Sequence, residues 1–141
     1  KLHPGGSLGK RLLLKIDQIM HSHDRVPMIS VVTKVKDALL YISEKGFGMT
    51  GVLDNSGKMV GIITDGDVRR ALEKEGNNIF DQTADSLMSK NPKWISGSTL
   101  AISALKLMEK HSITSLFVYS NKHLKKPDGV IHIHDLLKIG I

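Results

Sequence analysis

The hydrophobic pattern of the first half of the chain recurs in the second half. The segment from Thr33 to Asp54 matches the segment from Thr99 to Ser120 about 66 residues later, with apolar residues in equivalent positions. Ile19-Met20 likewise recurs as Leu87-Met88. The spacing changes only where loops are expected, which is typical of two copies of one folded unit. Each copy is too short for a large core of its own, so we expect the two copies to pack together.

Within each copy, the periodicity of apolar residues predicts the order β-α-β-β-α after a helical lead-in. In the first copy the predicted elements are the lead-in Leu12 to Met20, a strand Met28 to Val32, a helix from an N-cap at Thr33 to Gly46, a strand Thr50 to Leu53, a turn Asp54 to Gly57, a strand Met59 to Thr64, and a helix Val68 to Glu75.

The apolar pattern of the second copy predicts the same order of strands and helices. Its elements are the lead-in Ala84 to Met88, a strand at Trp94-Ile95, a helix Thr99 to Lys110, strands Ser115 to Tyr119 and Gly129 to His132, and a helix beginning near Asp135. The fold class is therefore α/β of the mixed α+β kind, with pseudo-twofold symmetry. We place a linker at residues 1–14, the first repeat at 15–78 and the second at 79–141.

Composition narrows the class of protein. Among 141 residues, 40% are hydrophobic and none is cysteine, which excludes disulfides and thiolate chemistry. No apolar run approaches the roughly 20 residues of a membrane span, and no signal peptide is evident, so we expect a cytoplasmic protein without membrane contact. The net charge of +6 fits solvated surface or small phosphorylated ligands. The basic residues form no dense stripe, so we expect no nucleic-acid partner.

A short motif covers the returning strand of the hairpin in each copy and the turn that follows it. It reads Gly61-Ile62-Ile63-Thr64-Asp65-Gly66-Asp67 in the first copy and Gly129-Val130-Ile131-His132-Ile133-His134-Asp135 in the second. The motif, twice and in register, resembles that of CBS (cystathionine-β-synthase-like) domains, and the chain resembles a tandem CBS pair. The resemblance implies an adenosine-type ligand, with Thr64 on phosphate and Asp67 on the ribose diol.

Other interpretations of the motif residues stay open. Thr64, Asp65 and Asp67 could serve only to cap a helix. In the second copy His132 stands where the family has Ser or Thr, beside His134 and Asp135. This turn either holds phosphate in a pH-dependent way or has lost nucleotide binding. Neither His132 with His134 nor His21 with His23 has an obvious third ligand, so we expect no metal site and no cofactor.

The N-terminal segment His3-Pro4-Gly5-Gly6-Ser7-Leu8-Gly9-Lys10-Arg11-Leu12-Leu13 resembles the end of the sugar isomerase domain of bacterial arabinose 5-phosphate isomerases. In that family a CBS pair follows directly. The resemblance implies that the chain is the C-terminal regulatory part of an enzyme that converts arabinose 5-phosphate to ribulose 5-phosphate for synthesis of Kdo, the eight-carbon sugar acid of lipopolysaccharide. His3 would be catalytic in the parent enzyme only, and this chain alone would be inactive.

The same resemblance implies the partners. The candidate ligands are an adenine nucleotide or the end product CMP-Kdo, and a homo-oligomer, dimer or tetramer, is expected. The alternative function is a purely structural oligomerisation module that binds no specific ligand. Sequence does not choose between the two classes.

Overall fold

A computed structural model describes residues 8–141. Its helices are α1 (Leu8–Leu12), α2 (Val35–Lys45), α3 (Asp65–Glu75), α4 (Ala101–His111) and α5 (Ile133–Lys138). Its strands are β1 (His21–Ser22), β2 (Met28–Ser30), β3 (Met49–Leu53), β4 (Met59–Thr64), β5 (Trp94–Ser96), β6 (Ser115–Tyr119) and β7 (Gly129–His132). Short 3-10 helices cover Ile16–Gln18, His23–Arg25, Gly76–Asp81 and Ala84–Ser86. The predicted mixed α+β fold class, with two small sheets, is confirmed.

One compact unit comprises residues 27–92. Its sheet has the order β2-β3-β4, with β2 parallel to β3 and β3 antiparallel to β4. The hairpin turns at Asp54, whose carboxylate accepts hydrogen bonds from the backbone of Ser56 and Lys58 at 2.8 and 3.1 Å. Helices α2 and α3 supply the buried side chains Val35, Ile42 and Val68 that cover this sheet. Both the turn and β4 agree with the sequence prediction.

The other unit comprises residues 8–26 and 93–141. Its sheet has the order β1-β7-β6-β5, and the two-residue strand β1 at its edge was not predicted from the sequence. Strand β6 is buried at four of its five positions, which suits a strand between two neighbours. Phe117 is the largest side chain that this unit buries completely.

The compact units and the sequence repeats have different limits, because each lead-in segment joins the unit of the other repeat. Ile16, in the first lead-in, is fully buried in the core of the unit that contains residues 93–141. Ala84, in the second lead-in, is fully buried in the core of the unit formed by residues 27–92. Two sequence-adjacent repeats thus form units that exchange their first segments.

These exchanged segments also explain why the N-cap predicted at Thr33 is wrong. Helices α2 and α4 begin two residues after Thr33 and Thr99, and their N-cap residues make no side-chain cap. The Val35 N–H instead donates to the carbonyl of Gln82 at 2.9 Å, and the Ala101 N–H donates to the carbonyl of Leu14 at 2.7 Å. Because backbone carbonyls in or next to the lead-in segments accept from these N–H groups, a side-chain cap is not needed.

The helices that follow β4 and β7 begin earlier than predicted. α3 starts at Asp65 rather than Val68, and α5 starts at Ile133 rather than near Asp135. Each strand therefore passes into its helix without a loop, which places the motif residues at the junction itself. Within residues 8–141, no helix is both long enough and apolar enough to cross a membrane.

Candidate functional site

The first candidate site is the junction between β4 and α3. Thr64 ends the strand and its hydroxyl oxygen accepts a hydrogen bond from the Asp67 N–H at 3.0 Å. Asp67 returns a bond, because its Oδ2 accepts from the Thr64 N–H at 2.9 Å. This reciprocal pair is a capping box, which satisfies backbone donors at the start of the helix. The capping interpretation of these residues is therefore realised in the structure.

A cation completes this junction. Arg70 lies one turn along α3 and its Nη2 contacts Asp67 Oδ1 at 2.7 Å, in an ion pair between an exposed guanidinium and a mostly covered carboxylate. Gly66 leaves room for it, since a Cβ added there would lie 3.2 Å from Arg70 Nη1. The first turn of α3 thus holds a positive group beside its carboxylate and its N-terminal backbone donors.

Asp65 has a different position from its neighbours in the motif. It is exposed, and its N–H donates to the carbonyl of Gly48 at 3.1 Å. Gly48 adopts a positive φ of 72°. A Cβ added to Gly48 would lie 3.7 Å from Asp65 Oδ2, so the two residues are close together. Asp65 therefore joins α3 to the start of β3 and takes no part in the capping box.

The second candidate site is the equivalent junction between β7 and α5, built with different side chains. Asp135 Oδ2 accepts from the His132 N–H at 2.8 Å, as Asp67 does in the first turn. His132 replaces the threonine, and its Nδ1 accepts from the His134 N–H at 3.1 Å. The rings of His132 and His134 meet edge to face with centroids 4.6 Å apart. His132 and His134 thus stand where the first repeat has the smaller residues Thr64 and Gly66.

The side chain that contacts Asp135 comes from the distant N-terminal strand. His21 Nε2, in β1, lies 2.9 Å from Asp135 Oδ1. Burial lowers the pKa of His132 from its ordinary value. The neighbouring rings of His134 and His21 lower this pKa further, whereas the Asp135 carboxylate opposes the shift. His132 is consequently neutral at pH 7, which agrees with its Nδ1 accepting a hydrogen bond.

The sequence-predicted residues therefore form one cluster in each unit. His3 lies outside the described residues. From Leu8 to Ile141, no group of three or more His, Cys, Asp or Glu side chains is placed to hold a metal ion. Sequence reasoning missed two contacts. The Arg70 contact could have been found from its i, i+3 spacing to Asp67, whereas no local pattern links His21 to Asp135.

Comparison with known proteins agrees with this repeated junction. The CBS domain model matches residues 16–74 and 84–140; the first match ends within α3 and the second just after α5. The chain belongs to the CBS domain family. The tandem CBS pair expected from the sequence is confirmed.

Two curated relatives cover almost all of this CBS pair. The arabinose 5-phosphate isomerase KdsD of Pseudomonas aeruginosa is 42% identical over 99% of the chain, and that of Escherichia coli is 38% identical over 99%. The chain spans 42% and 41% of the length of these two relatives. The resemblance to this isomerase family thus extends through both repeats.

Solved structures share the fold of the CBS pair. A CBS-domain containing protein from Agrobacterium tumefaciens has a TM-score of 0.80 at 19% identity, over 92% of this chain and 96% of its own. CBSX2 in complex with AMP has a TM-score of 0.71 at 21% identity, over 88% and 93%. The CBS pair of a third protein, in complex with 5-methylthioadenosine and S-adenosyl-L-methionine, has a TM-score of 0.73 at 18% identity, over 90% and 95%.

Proposed function

We propose that this CBS pair is the regulatory nucleotide-sensing module of a cytoplasmic arabinose 5-phosphate isomerase, and that it has no isomerase activity alone. The observation that carries the proposal is the first junction, where Thr64, Asp67 and Arg70 lie together at the start of an 11-residue helix. Similarity to the KdsD enzymes over 99% of the chain supports the choice of parent enzyme.

The chemistry of the first junction suits a nucleotide. The start of α3 directs backbone N–H groups and the positive end of the helix dipole outward, which favours a phosphate. Arg70 adds a full positive charge beside that helix start. The hydroxyl of Thr64 accepts one bond from Asp67 and can still donate its own hydrogen to a phosphate oxygen. The phosphate would therefore meet three kinds of donor in one place.

The ribose would be recognised by Asp67. A carboxylate has about four acceptor positions, and the structure gives Asp67 one bond from the Thr64 N–H and one from Arg70. The remaining positions can accept from the two hydroxyls of a ribose diol. If a phosphate attracts Arg70 away from Asp67, the carboxylate gains further capacity. Capping and binding are therefore compatible uses of one side chain.

The ligand class follows from the fold relatives and from the proposed pathway. Two CBS structures with this fold are complexes with AMP or with methylthioadenosine and S-adenosylmethionine, which supports an adenine nucleotide. Feedback by the pathway end product would instead use CMP-Kdo, which carries the same ribose diol and a phosphate. Asp67 and Arg70 recognise what the two ligands share, so the base determines which one is bound.

The test is calorimetric titration of the 141-residue chain with AMP, ATP, CMP and CMP-Kdo. Asp67→Ala should weaken binding of the preferred nucleotide by about 1.5–3 kcal/mol, the scale of a hydrogen bond to a charged group. Loss of the cap should also lower folding stability by about 1 kcal/mol. Asp67→Asn is the matched control, because its side-chain oxygen still accepts from Thr64 while the negative charge is removed.

The outcomes separate the two uses of Asp67. A melting temperature that falls in Asp67→Ala while nucleotide affinity stays at the parent value would leave only the capping role. Absence of binding by all four nucleotides to the parent chain would contradict the sensing function altogether.

A second candidate function, homo-oligomerisation, is supported by exposed apolar side chains. Leu40 on α2 is 70% exposed and Val32, which precedes this helix, is 68% exposed. Each of these large apolar side chains would be covered in a contact between copies of the chain. A dimer or tetramer assembled through this surface is compatible with sensing, since association and the first junction use different residues.

A further inference from the structure

At the two junctions, the side chains that cap the helices differ in acid–base chemistry. In the first, the Asp67 N–H donates to the hydroxyl oxygen of Thr64 at 3.0 Å. In the second, the His134 N–H donates to the ring nitrogen Nδ1 of His132 at 3.1 Å. A hydroxyl oxygen accepts at any ordinary pH, whereas an imidazole nitrogen accepts only while it carries no proton. The second cap therefore depends on pH and the first does not.

We propose that His132 is a proton-sensitive helix cap, and that its protonation opens the first turn of α5 while the equivalent turn of α3 stays closed. A proton on Nδ1 would point at the His134 N–H, so that two donors would face each other. The bond would be lost and the turn would move apart. This inference concerns the protein without nucleotide and is independent of the sensing function.

The groups around His132 determine when the cap opens. β1 contributes His21, α5 contributes His134 and Asp135, and the residue opposite on β6 is the uncharged Ser115. Two imidazoles and partial burial disfavour a proton on His132, and one carboxylate favours it. The ring therefore stays neutral at neutral pH, and acidification below the ordinary histidine range of about 6.5 is needed to protonate it.

The shortness of α5 makes this cap important. The helix has six residues, so that one lost bond at its start affects a large part of it. Leu136, fully buried in the core, anchors the middle of the helix by packing. We therefore expect acid to open residues 132–135 locally, without unfolding the unit. The second repeat would then report pH through the very residues that replace the Thr64 and Gly66 of the first.

Amide hydrogen exchange of the 141-residue chain, followed by NMR, tests this inference. Rates are converted to protection factors, which removes the intrinsic effect of pH on exchange. Between about pH 7.5 and about pH 5, the protection of the His134 amide should fall about five-fold, the scale of losing one cap. The Asp67 amide, capped by Thr64, should keep its protection and serves as the internal control.

His132→Thr copies the first junction and should keep the protection of the His134 amide constant over the same pH range. His132→Asn, which also offers a side-chain oxygen to the helix start, is the second variant if the threonine protein does not fold. His123→Thr changes an exposed histidine in a loop and should behave like the parent. Constant protection in the parent, or an equal fall in His132→Thr, would overturn the proposal.

Discussion

His21 and Asp135 form a side-chain hydrogen bond across 114 residues of sequence, with Nε2 and Oδ1 2.9 Å apart. Asp135 uses its other oxygen to cap α5. The contact therefore ties the short edge strand β1 to the helix start of the second repeat. In the first repeat the corresponding aspartate pairs with Arg70 on its own helix. Two equivalent carboxylates thus have a distant and a local partner.

Removing His21 should cost more than removing Arg70. The side chains of His21 and Asp135 are 30% and 16% exposed, whereas Arg70 is 65% exposed. We expect His21→Ala to lower the free energy of unfolding by about 1–2 kcal/mol, as for a covered hydrogen bond to a charge. Arg70→Ala should cost at most about 1 kcal/mol, as for a surface pair. Urea unfolding of both variants measures the difference; equal costs would contradict the distinction.

The glycine that opens the motif of the first repeat should not tolerate a methyl group. A Cβ on Gly61 would lie 2.7 Å from Met88 Cγ and 3.0 Å from Met88 Cβ, atoms that cannot swing aside freely. Gly61→Ala should therefore lower the free energy of unfolding by about 1–3 kcal/mol through overpacking. The control is Gly9→Ala, because nothing lies within 4 Å of an added Cβ there.

A second substitution checks the cause of this loss. Met88→Ala removes the atoms that the new methyl group would meet, so the loss caused by Gly61→Ala should be smaller in a Met88→Ala background. If the two single losses simply add in the double variant, contact with Met88 is not the reason.

Acid should destabilise the protein partly through His132. The folded state lowers the pKa of this side chain, so the unfolded chain, near the ordinary value of about 6.5, binds the proton more readily. The stability that a neutral His132 provides is therefore complete above pH 6.5. It is lost as the pH falls from there through the lower folded-state pKa. When melting temperatures are compared from about pH 8 to about pH 5, that of the parent should fall further than that of His132→Thr. Parallel curves would contradict the assignment.

The exposed apolar residue on α2 should control association rather than folding. Leu40 is 70% exposed, so Leu40→Glu should leave the free energy of unfolding within about 0.5 kcal/mol of the parent, as for most surface changes. If this surface joins copies of the chain, the variant should have a lower mass by light scattering at equal concentration. Ser43→Glu, which adds one negative charge at another exposed position of the same helix, is the control for charge. A parent that is monomeric at high concentration would rule out the contact.

The chain should not isomerise arabinose 5-phosphate. Proton transfer between C1 and C2 of an open-chain sugar phosphate needs acid and base groups placed around it, and by resemblance only His3 of that machinery is present. A ketose assay with the chain at high concentration checks this, with a full-length KdsD enzyme as the positive control. Turnover by the purified chain would contradict its assignment as a regulatory part.

Local patterns predicted the parts of this fold that depend on local contacts. The turn at Asp54 is closed by bonds within five residues, and β4 and β7 end where the motif turns into a helix. The N-cap expected at Thr33 was wrong because a distant backbone carbonyl, that of Gln82, satisfies the helix donor. Strand β1 has two residues and no periodicity to detect.

For the candidate sites, too, the sequence predicted the residues that interact locally and missed a distant partner. The motif identified Thr64, Asp67, His132 and Asp135, because each pair has fixed spacing within one turn. It did not indicate which side chain each aspartate would contact. Asp67 found a partner on its own helix, whereas Asp135 found His21, which only the tertiary arrangement brings near. Asp65 belongs to the motif by sequence, but its backbone bond goes to Gly48.

The exchange of lead-in segments has a consequence for the order in which the chain acquires its structure during synthesis. Residues 27–92 form a unit from one continuous stretch, so all its strands have been made before residues 93–141 are synthesised. Residues 8–26 are synthesised before this unit, whereas β7, the sheet partner of β1, is synthesised after it. Because pairing over such a separation is slow, we expect the inner unit to fold first on the ribosome. Strand β1 would remain unpaired until β7 has been synthesised.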